Sequence, residues 1–195
     1  EVIDTITEAM VGVYGNPSSI HHVGRKAKSL VETARKNIAK KFNVTASEIV
    51  FTAGGSEADN LIIRNAVTNL GVTKIISSKI EHHAVLHTLE NLEKEFNITI
   101  CWVNLDSHGN VDYKHLEELL TQTNEKKLVS LMFVNNEIGN LLNVKKVSDL
   151  CIANKALFHS DAVQAVGHFN FDLQEIPIDF FAICPPVNAI ICGKF

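Results

Sequence analysis

Short, almost wholly apolar runs alternate along this chain with longer segments of helical periodicity, and that alternation restricts the fold more than any other feature. The runs Ile49–Thr52, Lys74–Ser78, Ile98–Val103, Leu128–Val134, Ala156–Ser160 and, after Pro177, Ile178–Ile183 are rich in β-branched and aromatic residues. Between them helical patterns are predicted at about 56–69, 83–96, 112–122 and 143–154. In the second of these Val85, Leu89, Leu92 and Phe96 recur at spacings of 4, 3 and 4, while the third opens on Asp112, a good N-cap, with Leu116, Leu119 and Leu120 inward. Strands with no polar side are those of a mostly parallel sheet covered by helices on both faces, so the expected class is α/β. An amphipathic helix precedes the alternation, with Ala27, Leu30, Val31, Ala34, Ile38 and Phe42 on one stripe and Lys and Arg opposite.

Composition narrows the function classes. Eighteen Lys and Arg stand against twenty-two Asp and Glu with no basic run, so neither nucleic acid nor an anionic membrane is an expected partner. No apolar stretch approaches the roughly 18 residues of a membrane span. The four cysteines, Cys101, Cys151, Cys184 and Cys192, form no C-x-x-C pair and read as reduced thiols of a cytoplasmic compartment, not as a disulfide framework or a metal site. The sequons Asn43-Val44-Thr45 and Asn97-Ile98-Thr99 read as chance. The chain starts at Glu1 inside an apparent helix (Val2, Ile3, Ile6, Met10), and an upstream segment is expected. With no repeat, low-complexity tract or linker, one domain or part of one is expected.

In open α/β sheets ligands bind beyond the carboxyl ends of the strands, so the residues just after each strand carry the information. After Ile49–Thr52, Gly54, Gly55 and Ser56 lead into a helix. They either cradle a phosphate with backbone N–H groups and a hydroxyl, or Ser56 is only an N-cap with Asp59 completing a capping box. After Lys74–Ser78 come His82 and His83, either of which can stack on a planar ligand, act as acid or base, or simply cap the helix. Asn135 and Asn136 follow Leu128–Val134 as side-chain amides or as plain turn formers. Asp161 ends the run Ala156–Ser160, and Gln164 follows it. A carboxylate there is costly to bury without a cationic or proton-donating partner. Together these groups suit a flat, phosphorylated heteroaromatic ring whose nitrogen needs a counter-ion, and pyridoxal 5'-phosphate (PLP) fits.

At this point the residues resemble a known family. Tyr14–His21 (YGNPSSIH), Phe51–Asn60 (FTAGGSEADN), Glu81–Val85 (EHHAV), Val134–Gly139 (VNNEIG) and His159–Gly167 (HSDAVQAVG) match, in order, motifs of the cysteine desulfurases, a group within the fold-type I PLP enzymes (class V aminotransferases). The resemblance covers nearly all of Glu1–Phe181. It implies that Gly55 and Ser56 bind the cofactor phosphate and that His82, not His83, stacks on the ring and assists proton transfer as a catalytic residue. It further implies that Asn136 and Gln164 contact the ring's phenolic oxygen, and that Asp161 pairs with the ring nitrogen. Asn16 to His21 would form an active-site loop near the partner of a homodimer. The implied reaction takes sulfur from L-cysteine, leaving L-alanine and a persulfide on an enzyme cysteine, for a sulfur acceptor or scaffold protein of iron–sulfur cluster assembly.

The match ends abruptly. Pro177-Ile178-Asp179-Phe180-Phe181 follows the family's pattern, but the position of its cofactor-binding lysine aligns with Val187, and Pro186 replaces a phosphate-holding histidine. Lys194 is the only lysine beyond Lys155 and lies too far along. The Pro-Pro pair should also stop the strand and remove N–H donors. The persulfide cysteine belongs to the second half of the family's chain, so Cys101 and Cys151 read as small core residues. These features predict a single, incomplete large domain of 195 residues without the small C-terminal domain, inactive alone. A pseudo-enzyme acting as a binding or assembly partner is the second reading; the intact set of cofactor-facing residues favours an incomplete or altered desulfurase.

Overall fold

The computed structural model describes residues 1–184 and the backbone of 189–193. The chain divides into two compact units, Glu1–Ala46 and Ser47–Phe195.

The first unit is two helices, α1 (Val2–Gly12) and α2 (His22–Phe42), joined by residues 13–21. His21 caps α2, its Nδ1 accepting the Gly24 N–H at 3.3 Å, and Asn43 ends the helix in the left-handed region at φ 55°. Gly24 is required by close approach: a Cβ there would stand 2.6 Å from the Asn16 carbonyl oxygen and 2.7 Å from Ser19 Cβ. The predicted stripe on α2 is only partly covered. Ala27 and Phe42 are buried and Val31 and Ile38 half-buried, whereas Leu30 and Ala34 are exposed. No residue of α1 is buried.

After the 3-10 turn Ala46–Glu48 the second unit runs β1 (Ile49–Thr52), α3 (Gly55–Thr68), β2 (Lys74–Ser77), α4 (His83–Glu95), β3 (Thr99–Trp102) and α5 (Tyr113–Thr121). It continues with β4 (Lys127–Ser130), α6 (Val144–Ala153), β5 (Leu157–Asp161), β6 (Phe180–Ile183) and β7 (Ala189–Gly193). All seven strands form one sheet in the order β1-β7-β6-β5-β4-β2-β3. β7 pairs antiparallel with both neighbours, and every other pairing is parallel, so the expected mostly parallel α/β sheet is present. Strand residues of both parities are buried: Ile75 and Leu128 join the cluster under α3 and α4, and their neighbours Ile76 and Val129 are equally inaccessible. Ile62, Ile63 and Ala66 of α3 meet Val85, Leu89 and Leu92 of α4 there, each large side chain contributing about 1.5–3 kcal/mol of burial. Asp112 caps α5, its Oδ1 accepting from Lys114 N and His115 N.

Two features differ from the sequence reading. β4 stops at Ser130, because beyond it the Met132 N–H turns to the Glu81 carboxyl, although Phe133 N still bonds the Asp161 carbonyl. β7 was not anticipated; β6 ends at Ile183, ahead of the proline pair as expected, and the antiparallel strand follows. Pro185 to Asn188, including the expected lysine position at Val187 and the Pro186 substitution, lie outside the described residues, as do Lys194 and the side chain of Cys192. Cys151 is buried, its thiol pushed up by burial, but Cys101 on the edge strand β3 is only half-buried, so the core reading holds for one of the two.

Candidate ligand site at the carboxyl edge of the sheet

Four crossings bring polar groups to one edge. The loop after β1 delivers the start of α3, the loop after β2 delivers His82, the segment after β4 delivers Met132 and Asn136, and the end of β5 delivers Asp161, Val163 and Gln164. These residues, with Gly55, Ser56 and Asp59, line one cavity of about 220 Å³. That is at the small end for ligand pockets, the scale of a single substituted ring. All six residues singled out from the sequence, Gly55, Ser56, His82, Asn136, Asp161 and Gln164, face it; His83 does not and lines a neighbouring cavity.

At α3 the capping-box alternative is corrected. The N-cap is Gly54, not Ser56, and it has no side-chain cap hydrogen bond. The carboxylate that reaches back is Glu57, whose Oε2 accepts from Ala53 N, while Asp59 turns inward in register with Ile62, Ile63 and Ala66. The helix start therefore keeps its unpaired N–H groups and positive dipole end for an anion. A Cβ on Gly55 would lie 3.1 Å from Val163 Cγ2, so any larger residue there would need that valine to give by a few tenths of an ångström. Ser56 Oγ and the side-chain amides of Asn136 and Gln164 have no hydrogen-bond partner among the described residues.

His82 caps α4, its Nδ1 accepting the Ala84 N–H at 3.1 Å. Accepting at Nδ1 places the ring proton on Nε2. The ring remains exposed at the cavity wall.

The floor is acidic. Asp161 is buried, with Oδ1 accepting from Val163 N at 2.9 Å, and its carboxyl is pushed up to about 6, first by burial and then by the nearby Asp59. Beneath it Asp59 Oδ1 lies 3.4 Å from His159 Nε2, close enough to attract but not aligned as a hydrogen bond, and both atoms lack a bonded partner. Ser130 Oγ holds the other ring nitrogen of His159 at 2.9 Å. Neither Asp59, read from the sequence only as a capping-box residue, nor His159 was expected at the floor of the site. The signal for Asp59 was there: an acid three, four and seven residues before the buried Ile62, Ile63 and Ala66 must share their face.

A phosphorylated, nitrogen-bearing ring answers each unspent group: a helix start without a side-chain cap beside a glycine and a hydroxyl, an aromatic wall, two idle amides, and a buried carboxyl with no ion-pair partner among the described residues. The residues present fit PLP on these grounds. Among the described residues no group of three or more His, Cys, Asp or Glu can hold a metal ion, and no helix is long and apolar enough to cross a membrane.

Residues 1–184 match the family described as aminotransferase class-V. The chain is 40% identical over 185 residues to a protein named cysteine desulfurase IscS from Clostridium botulinum, covering 94% of this chain and 46% of that protein. Among solved structures, a NifS-like protein superposes with a TM-score of 0.91 at 32% identity, covering 99% of this chain and 55% of the other. A structure titled SspA in complex with cysteine superposes at 0.90 with 26% identity, covering 98% and 57%. The chain thus spans about half the length of the curated relatives it matches.

Proposed function

The chain belongs to the class-V aminotransferase family, and from that membership and the cavity we propose that it is the cofactor-holding half of a PLP-dependent cysteine desulfurase. One observation carries the reading: six residues expected from scattered motifs line a single cavity. Gly55, Ser56 and the start of α3 hold the phosphate, the His82 ring covers one face, Asn136 and Gln164 bond the phenolic oxygen, and Asp161 keeps a proton on the ring nitrogen. When bound, the cofactor supplies a positively charged ring that stabilises negative charge developing beside the substrate nitrogen. Asp161 maintains that charge through a carboxylate which, without a cation, burial holds largely protonated at acid pH. His82 carries its proton on Nε2, where it can be passed to or from a group at the cavity mouth.

In the whole protein the reaction is L-cysteine plus an enzyme thiol giving L-alanine plus an enzyme persulfide, with sulfur passed to an acceptor or scaffold of iron–sulfur cluster assembly. The similarity to proteins named cysteine desulfurase, and to one solved with cysteine, supports that substrate. A homodimer in a cytoplasmic, reducing compartment is the setting, with residues 1–195 as a single large domain. With Val187 at the lysine position, the 195-residue chain alone releases no alanine from L-cysteine above a cofactor-only control.

The test uses pyridoxine 5'-phosphate, which lacks the aldehyde and so needs no lysine. The chain should bind it well above unphosphorylated pyridoxine, and Asp161→Asn should weaken binding about tenfold or more, the scale of one charge-assisted hydrogen bond. Equal binding of pyridoxine and its phosphate, or an unaffected Asp161→Asn, would sink the reading.

A further inference from the structure

One buried acid beside this cavity has no part in the binding set. Glu81 stands immediately before His82, at the end of the β2 crossing, and is 6% exposed. Its Oε1 meets Ser78 Oγ at 2.6 Å, within its own loop, and its Oε2 accepts the Met132 N–H at 2.8 Å, from the segment after β4. A second strap runs in parallel: Asn135 Nδ2 donates to the Ile80 carbonyl at 2.7 Å, while Asn135 Oδ1 accepts from Glu137 N and Ile138 N. The two loops so joined carry His82 and Asn136 to the cavity wall.

Among the described residues no cation offsets a negative charge on Glu81, and the Ser78 hydroxyl and Met132 N–H stabilise such a charge only in part. Asp161 at the end of β5 and Asp59 on α3 both oppose it, and the loops that touch it offer one hydroxyl and one N–H. Lys79, His82, His83 and Glu137 share with it an adjoining cavity of about 340 Å³, yet no cation pairs with it among the described residues. Towards a carboxylate the Ser78 hydroxyl donates to Oε1; a neutral carboxyl keeps the same two contacts once that hydroxyl turns, its carbonyl-type oxygen accepting from Met132 N and its O–H donating to Ser78 Oγ.

We propose that Glu81 is a positioning residue of this site: held as a neutral acid, it latches the loop carrying His82 to the loop carrying Asn136. Ionisation loosens the latch, because a carboxylate facing two others is relieved only by opening towards water. Burial and those two acids push the Glu81 carboxyl up to about 8, so the loosening falls at mildly alkaline pH. The inference rests on the reading of the cavity as the ligand site, but its core can be read without ligand.

The experiment compares the 195-residue chain with Glu81→Gln and Glu81→Ala. Gln copies the neutral acid, accepting from Met132 N and donating to Ser78 Oγ. The first readout is the hydrogen-exchange protection factor of the Met132 amide between pH 6 and 9.5, with no ligand present. In the unaltered chain it should fall above about pH 8, by up to about tenfold per pH unit, as expected when opening is coupled to loss of one proton. Glu81→Gln should hold the low-pH protection throughout, and Glu81→Ala should be low throughout. The second readout, pyridoxine 5'-phosphate affinity, should follow the same order. Glu81→Gln as unprotected as Glu81→Ala at pH 6, or a flat profile in the unaltered chain, would overturn the proposal. Expected protection profiles without pyridoxine 5'-phosphate binding in any variant would support the latch and overturn the reading of the cavity.

Discussion

The two edges of this sheet treat buried charge in opposite ways. At the amino edge Lys74 and Lys127 lie side by side in register on β2 and β4, each almost inaccessible. Lys74 Nζ donates to the Leu119 carbonyl at the end of α5, at 3.1 Å, and Lys127 Nζ to the carbonyls of Thr123 and Glu125. These cations are spent inside the chain, on acceptors the topology already supplies. At the carboxyl edge Asp161, Asp59 and Glu81 gather with no Lys or Arg paired to them among the described residues, and Asp59 Oδ1 and His159 Nε2 stand 3.4 Å apart without a hydrogen bond. A buried group whose partner is internal is architecture; a buried group left to lower its charge by holding a proton is waiting for something from outside.

The largest consequence is a pH dependence of stability set at the carboxyl edge. Asp161 and Glu81 both have folded values raised above the ordinary ones, to about 6 and about 8. A raised acid contributes stability that is fully present below its unfolded value and is lost as pH rises through its folded value. Unligated chain should therefore be most stable below about pH 4 as far as these two groups act, and lose up to about 8 kcal/mol by pH 8.5, at about 1.36 kcal/mol for each pH unit by which the two carboxyls are raised. Urea unfolding at pH 5 and pH 8.5 measures it. Pyridoxine 5'-phosphate at saturating concentration should return part of the loss, about 2.7 kcal/mol at a hundredfold excess over its dissociation constant. Equal stability at the two pH values would erase the difference between the edges.

The amino edge supplies the opposite sign. Lys74→Met keeps the apolar stem but strands the Leu119 carbonyl, so stability should fall by about 1–3 kcal/mol while pyridoxine 5'-phosphate affinity stays unchanged. Asp161→Asn should raise stability at pH 8 while weakening the ligand. Stabilisation by both substitutions would mean that buried charge is a cost at either edge and that the hydrogen bond from Lys74 adds nothing.

Much of this contrast is legible in the sequence. Apolar runs bounded by Gly, Asn and Asp marked strands, and strand ends marked the site, because a parallel sheet puts all its carboxyl ends on one edge. Asp161 stood out as an acid closing an apolar strand. What the sequence concealed depends on which face a residue joins. Asp59 reads in sequence as a capping-box partner of Ser56, and Glu81 is masked by the two histidines that follow it. His159 looked like one more strand residue until the register set it against Ser130. Leu30 and Ala34 fit the apolar spacing of α2 yet are exposed, since periodicity describes a face without saying how much of it is covered. β7 lies beyond the proline pair and joins the sheet antiparallel between β1 and β6, a pairing no local pattern encodes.

The smallest effect should come from Ser56, and it separates ligand chemistry from folding most cleanly. Its side chain is exposed and bonds nothing among the described residues, while its main-chain oxygen takes the Asn60 amide at 2.9 Å whatever the side chain. Removing the hydroxyl leaves no buried group unpaired, and alanine is a good helix residue near an N-terminus, so Ser56→Ala should change stability by less than about 0.5 kcal/mol. If the hydroxyl donates to a phosphate, pyridoxine 5'-phosphate affinity should drop about fivefold, the scale of one solvent-accessible hydrogen bond, with unphosphorylated pyridoxine unaffected. An equal drop for both ligands would place Ser56 against the ring, moving the phosphate away from α3. No drop for either would leave the start of α3 capped by solvent, and the carboxyl edge would then bind through its acids alone.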